Sequence, residues 1–204
     1  MYYSETNFLT DEEKTRLDSE IMGNNFPWYY QNYSTSDKFP FYSHVVIPRC
    51  EEDEINNSNS TMYDFFLNIV DRFREKHNME KTPLLRACLN SSSSFDNYPH
   101  SDIHVDHHFA HKTIIIYLND DFDGGDTMLF SRYWVEGLQT NYRLESYNKE
   151  EFPELTRITP EKHKVVCFDA RIFHATEWTK NNKRFQQINK NHQIYEIRRI
   201  CEIL

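Results

Sequence analysis

Five of the ten histidines fall between His100 and His111, and one of them stands two residues before an aspartate, His104 and Asp106. Residues two apart on a strand point to the same face, roughly 6.6 Å apart along the chain. An imidazole and a carboxylate so placed can occupy two adjacent corners of one metal ion. A third ligand must then come from another strand, and the candidate is His174, just after the strongly β segment that contains Cys167 and Phe168. Two histidines and one carboxylate on one triangular face form the ligand set of non-haem Fe(II) centres. Three positions stay open there, enough for a bidentate 2-oxo acid and dioxygen.

A 2-oxo acid with a second carboxylate needs an anchor for it, and the planar fork of arginine suits a carboxylate best. Arg184 follows His174 by ten residues, a distance that lets the chain turn back into a neighbouring strand. Lys180 and Lys183 are weaker candidates, expected at the turn itself. Tyr117 sits in an apolar strand and could donate its hydroxyl to the same carboxylate. Read alone it is equally a core tyrosine. Arg86 and Asn90 face toward or away from such a site depending on strand register, which spacing does not fix.

The elements that must carry these residues change character along the chain. Thr10 and Glu13 make a capping box ahead of Leu17 and Ile21 at helical spacing, and Gly23 ends the run, so a helix is expected from Asp11 to Met22. Phe26 to Tyr30 and Phe39 to Tyr42 are aromatic segments held extended by their prolines, expected to be core and cover for a sheet. Residues 51 to 60 read as an acidic loop. Met62, Phe65, Phe66, Ile69, Val70 and Phe73 repeat at three and four, predicting a second amphipathic helix. After Pro83 the pattern is that of strands: Leu84 to Leu89, a serine-rich loop through Ser94, and Thr113 to Leu118 as a central β-branched strand. A strand through Phe130 restarts after Gly124 and Gly125, a turn expected to need positive φ. An insert from Ser131 to Leu155 lacks strong periodicity. Lys164 to Phe168 and Phe185 to Ile188 complete the strands, while Ile194, Ile197 and Ile200 fit a short helix or a bent edge strand. Helices first and strands after predict an α+β, mainly β fold. The 204 residues are expected to form a single domain, with 1–82 a helical and aromatic support layer and 83–204 the core.

Composition narrows the class. Lys and Arg number 23 against 32 Asp and Glu, a net charge of -9. This argues against nucleic acid or a membrane surface as partner. The longest apolar run, Ile114 to Leu118, is far too short to span a bilayer. Met1 to Glu5 has no basic n-region, so no secretory signal is read and a cytoplasmic location is expected. Cys50, Cys88, Cys167 and Cys201 are widely spaced, which speaks for a reducing compartment and against a thiolate zinc site.

Taken together, His104 and Asp106, then Tyr117, Leu118 and Asn119, the stretch Gly124 to Thr127, Phe168 to Ala170, His174 and Arg184 resemble the 2-oxoglutarate and Fe(II)-dependent dioxygenases. Within these the sequence is most similar to the prolyl-4-hydroxylase-like branch, including hydroxylase-like proteins of marine bacteriophages. The motifs cover about residues 84 to 190. The resemblance implies a double-stranded β-helix, a jelly-roll or cupin-like core braced by N-terminal helices. It implies Fe(II) on His104, Asp106 and His174, with 2-oxoglutarate held by Arg184 and Tyr117 and ascorbate as an optional accessory. It implies dioxygen as co-reactant and hydroxylation of a prolyl residue in a peptide or protein. The same chemistry on a small metabolite or free amino acid is the alternative. Members that halogenate replace the carboxylate ligand with a small residue, so Asp106 favours hydroxylation. The chain departs from the branch in having Phe95, with Tyr98 nearby, where a tyrosine is usual. A virus-encoded origin and action in a host cytosol also follow only from the resemblance, and oligomeric state is left open.

Two readings from other classes stand beside it. One is a non-catalytic, cupin-like metal-binding module. The other is a zinc hydrolase built on His107, His108 and His111, although the glutamate of a metalloprotease helix is missing. Otherwise those histidines, with His100, are expected to form a polar loop at the site entrance.

Overall fold

The computed structural model describes residues 2–32, 39–48, 60–92, 98–121 and 123–179, together with the backbone of 196–203. The chain opens with strand β1 (Tyr2–Glu5) and helix α1 (Asp11–Arg16), which continues as a wider π-helical stretch over Leu17–Ile21. The capping box forms as expected: the Thr10 hydroxyl accepts from the Glu13 amide, and Glu13 accepts from the Thr10 amide. The helix stops at Gly23, where an added Cβ would lie 2.3 Å from the Ser19 carbonyl oxygen. Strands β2 (Tyr29–Gln31) and β3 (Phe41–Ile47) then make a hairpin, followed by helix α2 (Tyr63–Lys76). Helix α2 buries Phe65, Phe66, Ile69, Val70 and Phe73, the face its spacing predicts. The aromatic segments are only partly cover. Phe26 and Trp28 pack on the core, whereas Tyr29 and Tyr30 stay more than half exposed.

The rest of the described chain is mainly β: β4 (Leu84–Ser92), β5 (Ile103–His104), β6 (Lys112–Tyr117), β7 (Thr127–Tyr133), β8 (Asn141–Tyr142), β9 (Glu154–Ile158), β10 (Val165–Asp169), β11 (Ile172–Thr176) and β12 (Glu196–Ile203). A seven-stranded sheet runs β1-β10-β6-β12-β4-β3-β2 and a five-stranded sheet runs β8-β5-β11-β7-β9, every pairing antiparallel. Three strands from the first eighty residues therefore extend the larger sheet. Ser91 and Ser92 continue β4, although the sequence reads as loop there, because they pair with Phe41 and Tyr42 of β3. In place of the expected short helix or bent edge strand, the chain from Glu196 onward is a central strand between β4 and β6, and Ile194 lies outside the described residues. The expected strand from Phe185 to Ile188 and the loop over 51–59 lie outside the described residues.

The apolar side chains sort into three layers by strand parity. Ile114, Ile116 and Leu118 join Val165, Cys167, Ala87 and Leu89 under the two helices. Their alternates Ile115, Tyr117, Val166 and Phe168 meet Leu129, Ile158 and Ile172 of the smaller sheet, so the two sheets pack face to face. Two-sided burial is why these strands read as unbroken apolar runs. On the outer face of the smaller sheet, Ile103, Val105, Met128, Phe130, Phe173 and Ala175 are covered by Phe152 and other side chains of the 131–155 insert. Gly124 and Gly125 have φ of 85° and 77°, the turn anticipated ahead of β7. No helix among the described residues is long and apolar enough to cross a membrane.

Edge strand β1 is tied to α2 by Glu5, whose carboxylate accepts from Lys76 and from the His77 ring. Burial raises the Glu5 carboxyl, but these two partners outweigh it and hold the group below its ordinary value of 4.5. A depressed carboxyl contributes stability that is present above its unfolded pKa and lost as pH falls through the folded one. Glu5→Gln is therefore expected to lower the unfolding midpoint at pH 7, with the gap to wild type closing below about pH 4.5. Thermal unfolding of both proteins across pH 3 to 7 measures this; a gap that persists unchanged at pH 3 contradicts it.

Candidate metal centre

Parity also decides where the candidate ligands point. Ile103 and Val105 face the outer core, so His104 and Asp106 face the space between the sheets. Phe173 and Ala175 likewise face outward and leave His174 inward. His174 and His104 are direct partners across the β11–β5 pair, which brings their ring centroids to 4.6 Å. The Asp106 carboxylate lies 4.0 Å from His104 Nε2 and 3.4 Å from His174 Nε2. One ligand atom from each of the three residues falls within 4.8 Å of the others, the only such group of three among the described residues.

Each ring is aimed by the same local device. His104 Nδ1 bonds the Asp102 carbonyl and His174 Nδ1 bonds the Ile172 carbonyl, both at 3.0 Å. A carbonyl only accepts, so each Nδ1 carries a proton and each Nε2 faces the shared point, where a deprotonated Nε2 is the atom that can bind a metal. Phe168 meets His174 edge-on at 5.3 Å and packs against that ring. Burial alone would raise the Asp106 carboxyl. The His174 hydrogen bond and the charges of His174, His104 and Arg86 outweigh it, and the group stays well below the carboxylate range. One carboxylate oxygen donor and two imidazole nitrogen donors suit a borderline divalent ion such as Fe(II), Co(II), Ni(II) or Zn(II). His104 is 32% exposed while Asp106 and His174 are below a tenth, so the centre opens to solvent on the His104 side.

Tyr117 is fully buried in the intersheet core, its hydroxyl 2.6 Å from the Thr127 hydroxyl. Arg184, Lys180 and Lys183 lie outside the described residues. Register settles what spacing left open for Arg86 and Asn90: Ala87 and Leu89 belong to the helix-side core, so Arg86, Cys88 and Asn90 share the inward face. The expected polar entrance loop is mostly absent. His100, His107 and His111 are buried, His107 and His111 with ring centroids 4.9 Å apart, and only His108 is exposed. Phe109 explains this, since it stacks on His107 and touches His111, drawing the loop inward. Without His108 this cluster lacks three converging donors, which removes the basis of the zinc-hydrolase reading. Thiolate chemistry is equally disfavoured at Cys167, where burial pushes the thiol up to about 12.

Two site residues escaped the sequence reading. Asn141 is the direct partner of His104 in the β8–β5 pair, so Asn141, His104 and His174 form one row across the sheet. A two-residue strand inside an aperiodic insert carries no pattern that could reveal it. Thr127 was visible only as the end of the Gly124 to Thr127 stretch.

No protein-family model matches the sequence, and no curated protein matches it. The fold does match solved structures. An oxidoreductase of the 2OG-Fe(II) oxygenase family from Burkholderia pseudomallei superposes with TM-score 0.62 at 13% identity, over 99% of this chain and 82% of that one. The non-haem alpha ketoglutarate dependent carbocyclase SnoK from nogalamycin biosynthesis gives 0.62 at 9% identity, over 99% and 79%. HygX from Streptomyces hygroscopicus, solved with nickel and 2-oxoglutarate bound, gives 0.53 at 10% identity, over 99% and 82%. The chain has the fold of these oxygenases.

The buried Tyr117–Thr127 contact yields a stability test. Tyr117→Phe removes one buried hydrogen bond and is expected to destabilise the protein by about 1–2 kcal/mol. Urea unfolding measures it, and a loss under 0.3 kcal/mol would remove the pair from the interior framework.

Proposed function

We propose that the protein is a 2-oxoglutarate- and Fe(II)-dependent dioxygenase, a hydroxylase whose two packed sheets are a double-stranded β-helix. The observation that carries this is the convergence of His104, Asp106 and His174 on one point inside the fold that the oxygenases share. The donor set fits Fe(II), and those three residues would hold it. The bound iron would supply the chemistry by which 2-oxoglutarate, dioxygen and a substrate C–H become succinate, carbon dioxide and a hydroxylated carbon. The chain's own part is binding and exclusion. The carbonyls of Asp102 and Ile172 keep both Nε2 atoms ready as donors. Ile115, Leu129, Ile158, Val166 and Ile172 wall one side with hydrocarbon and keep water from it. The Tyr117 and Thr127 hydroxyls offer donors to the far carboxylate of 2-oxoglutarate.

The cationic anchor for that carboxylate has two candidates. Arg184 has the spacing noted in the sequence. Arg198 has register in its favour: on β12 it is the direct partner of Tyr117 on one side and Asn90 on the other. Loss of a charge-assisted arginine–carboxylate pair corresponds to on the order of 100-fold in binding. Arg198→Gln is accordingly expected to raise the KM for 2-oxoglutarate by about that factor, with Arg184→Gln staying within about threefold. The opposite ranking would return the role to Arg184.

For the prime substrate, a prolyl residue in a peptide or protein is the first reading, resting on the sequence resemblance. A small metabolite or free amino acid is the second, and a non-catalytic cupin-like metal-binding module the third. Anaerobic addition of Fe(II) and 2-oxoglutarate should produce a visible charge-transfer band that disappears in His174→Ala. Succinate release across a panel of proline-containing peptides, amino acids and metabolites, with His104→Ala as blank, then separates the readings. A band without succinate from any mixture supports the module, and no band with wild type refutes the dioxygenase.

A further inference from the structure

We infer that Asp102 is a positioning residue that couples docking of the 131–155 insert to the orientation of His104, and through it to metal affinity. The inference rests on the metal reading above and adds to it a residue and an insert that the ligand set does not require.

Asp102 is 3% exposed and faces two ways. Its backbone carbonyl accepts a hydrogen bond from His104 Nδ1 at 3.0 Å and another from the Ser101 hydroxyl at 3.1 Å. Its carboxylate Oδ1 accepts the backbone amide of Leu144, in the insert, at 3.0 Å. Around these bonds the insert is stitched to the ligand strand: β8 pairs with β5, and the Val105 amide donates to the Thr140 carbonyl at 2.9 Å. On the opposite side, Ser101 is fixed to β11, where its amide donates to the Thr176 carbonyl at 2.8 Å and its hydroxyl accepts the Thr176 amide at 3.0 Å. The peptide unit that aims His104 is thereby clamped between the strand of His174 and the insert.

A buried carboxylate is costly unless hydrogen-bonded. Separating Leu144 from Asp102 removes one bond that offsets that cost, and the segment relaxes by turning the carboxylate toward water. The same movement shifts the Asp102 carbonyl away from His104 Nδ1 and frees the ring to rotate its Nε2 off the shared point. Outer partners of metal ligands typically change affinity by about 10–100-fold. Coupling of this kind is reciprocal, so metal binding must in turn hold the insert down.

Co(II) alone, titrated into the 204-residue chain, tests this, with amide exchange followed over residues 140–147 with and without the metal. Asp102→Ala is expected to weaken Co(II) binding about tenfold and to speed exchange at Leu144. Asp102→Asn, whose amide oxygen still accepts, is expected to restore both. In wild type, Co(II) is expected to slow exchange at Leu144. A purely structural Asp102 would lower the unfolding temperature yet leave that metal-dependent protection absent. If Asp102→Ala does not fold, the wild-type exchange arm decides alone. Co(II) binding by Asp102→Ala within twofold of wild type, or unchanged exchange on loading wild type, overturns the coupling and leaves the metal centre standing. Failure of wild type to bind Co(II) refutes the metal reading, and the coupling with it.

Discussion

Placing a carboxylate and two imidazoles together inside an apolar shell is the constraint on which the rest of this fold depends. Water would stabilise the Asp106 charge better than hydrocarbon does. Here the group is kept ionised by two rings within 4.0 Å and by the field of Arg86. That arrangement survives only in one strand register. Side chains alternate faces, so a slip of a single residue would present Ile103 or Val105, and Phe173 or Ala175, where the donors now stand. Register is pinned by the outer layer, where the insert supplies Phe152 and Tyr142 against Phe173. It is pinned again by the register shift of the β11–β7 pair between Ile172 and His174, where the extra residues lie on β7.

The larger sheet solves a different problem. Its strands β6 and β10 are buried on both faces, by α2 and the π stretch on one side and by the smaller sheet on the other. A polar side chain on a strand so enclosed is costly unless a partner waits. Tyr117 with Thr127 meets that condition. The extension of the sheet by β3 and β2 has no covering layer of comparable depth, and its tyrosines stay in water. Burial thus fades along the sheet from β6 outward, and the interior grows more polar in the same direction, through Asn90 to Ser43.

Local signals explain which parts could be read from sequence. The capping box, the amphipathic α2, the β-branched run of β6 and the paired glycines depend on neighbours a few residues away, and all were visible. His104 with Asp106 was visible because a two-residue spacing fixes a common face on a strand. His174 could be proposed but not placed, since its position depends on a cross-strand pair between segments some seventy residues apart. The failures have the same origin. Ile194, Ile197 and Ile200 fit a short helix or a bent edge strand by spacing, and the central place of β12 is specified by the gap between β4 and β6, which no local pattern encodes. The histidines after Asp106 look like a polar loop, yet Phe109 anchors His107 and His111 inside and leaves only His108 exposed. Of β8 and Asn141 nothing was legible, because two residues make no period.

The insert is where these observations meet. An aperiodic stretch between two strands is ordinarily a surface excursion, tolerated because it touches little. This one closes the outer face of the smaller sheet, adds a strand beside β5 and reaches Asp102 with a backbone amide. Its apolar residues are scattered because they pack singly onto a surface already built, so composition hides their role. Because β5 has only two paired residues, it has little ladder of its own to hold His104 still. The edge that would otherwise fray is the one that carries a metal ligand, and β8 covers it. Rigidity at His104 is therefore supplied from outside the ligand strand, while the ring itself keeps its partial exposure to solvent.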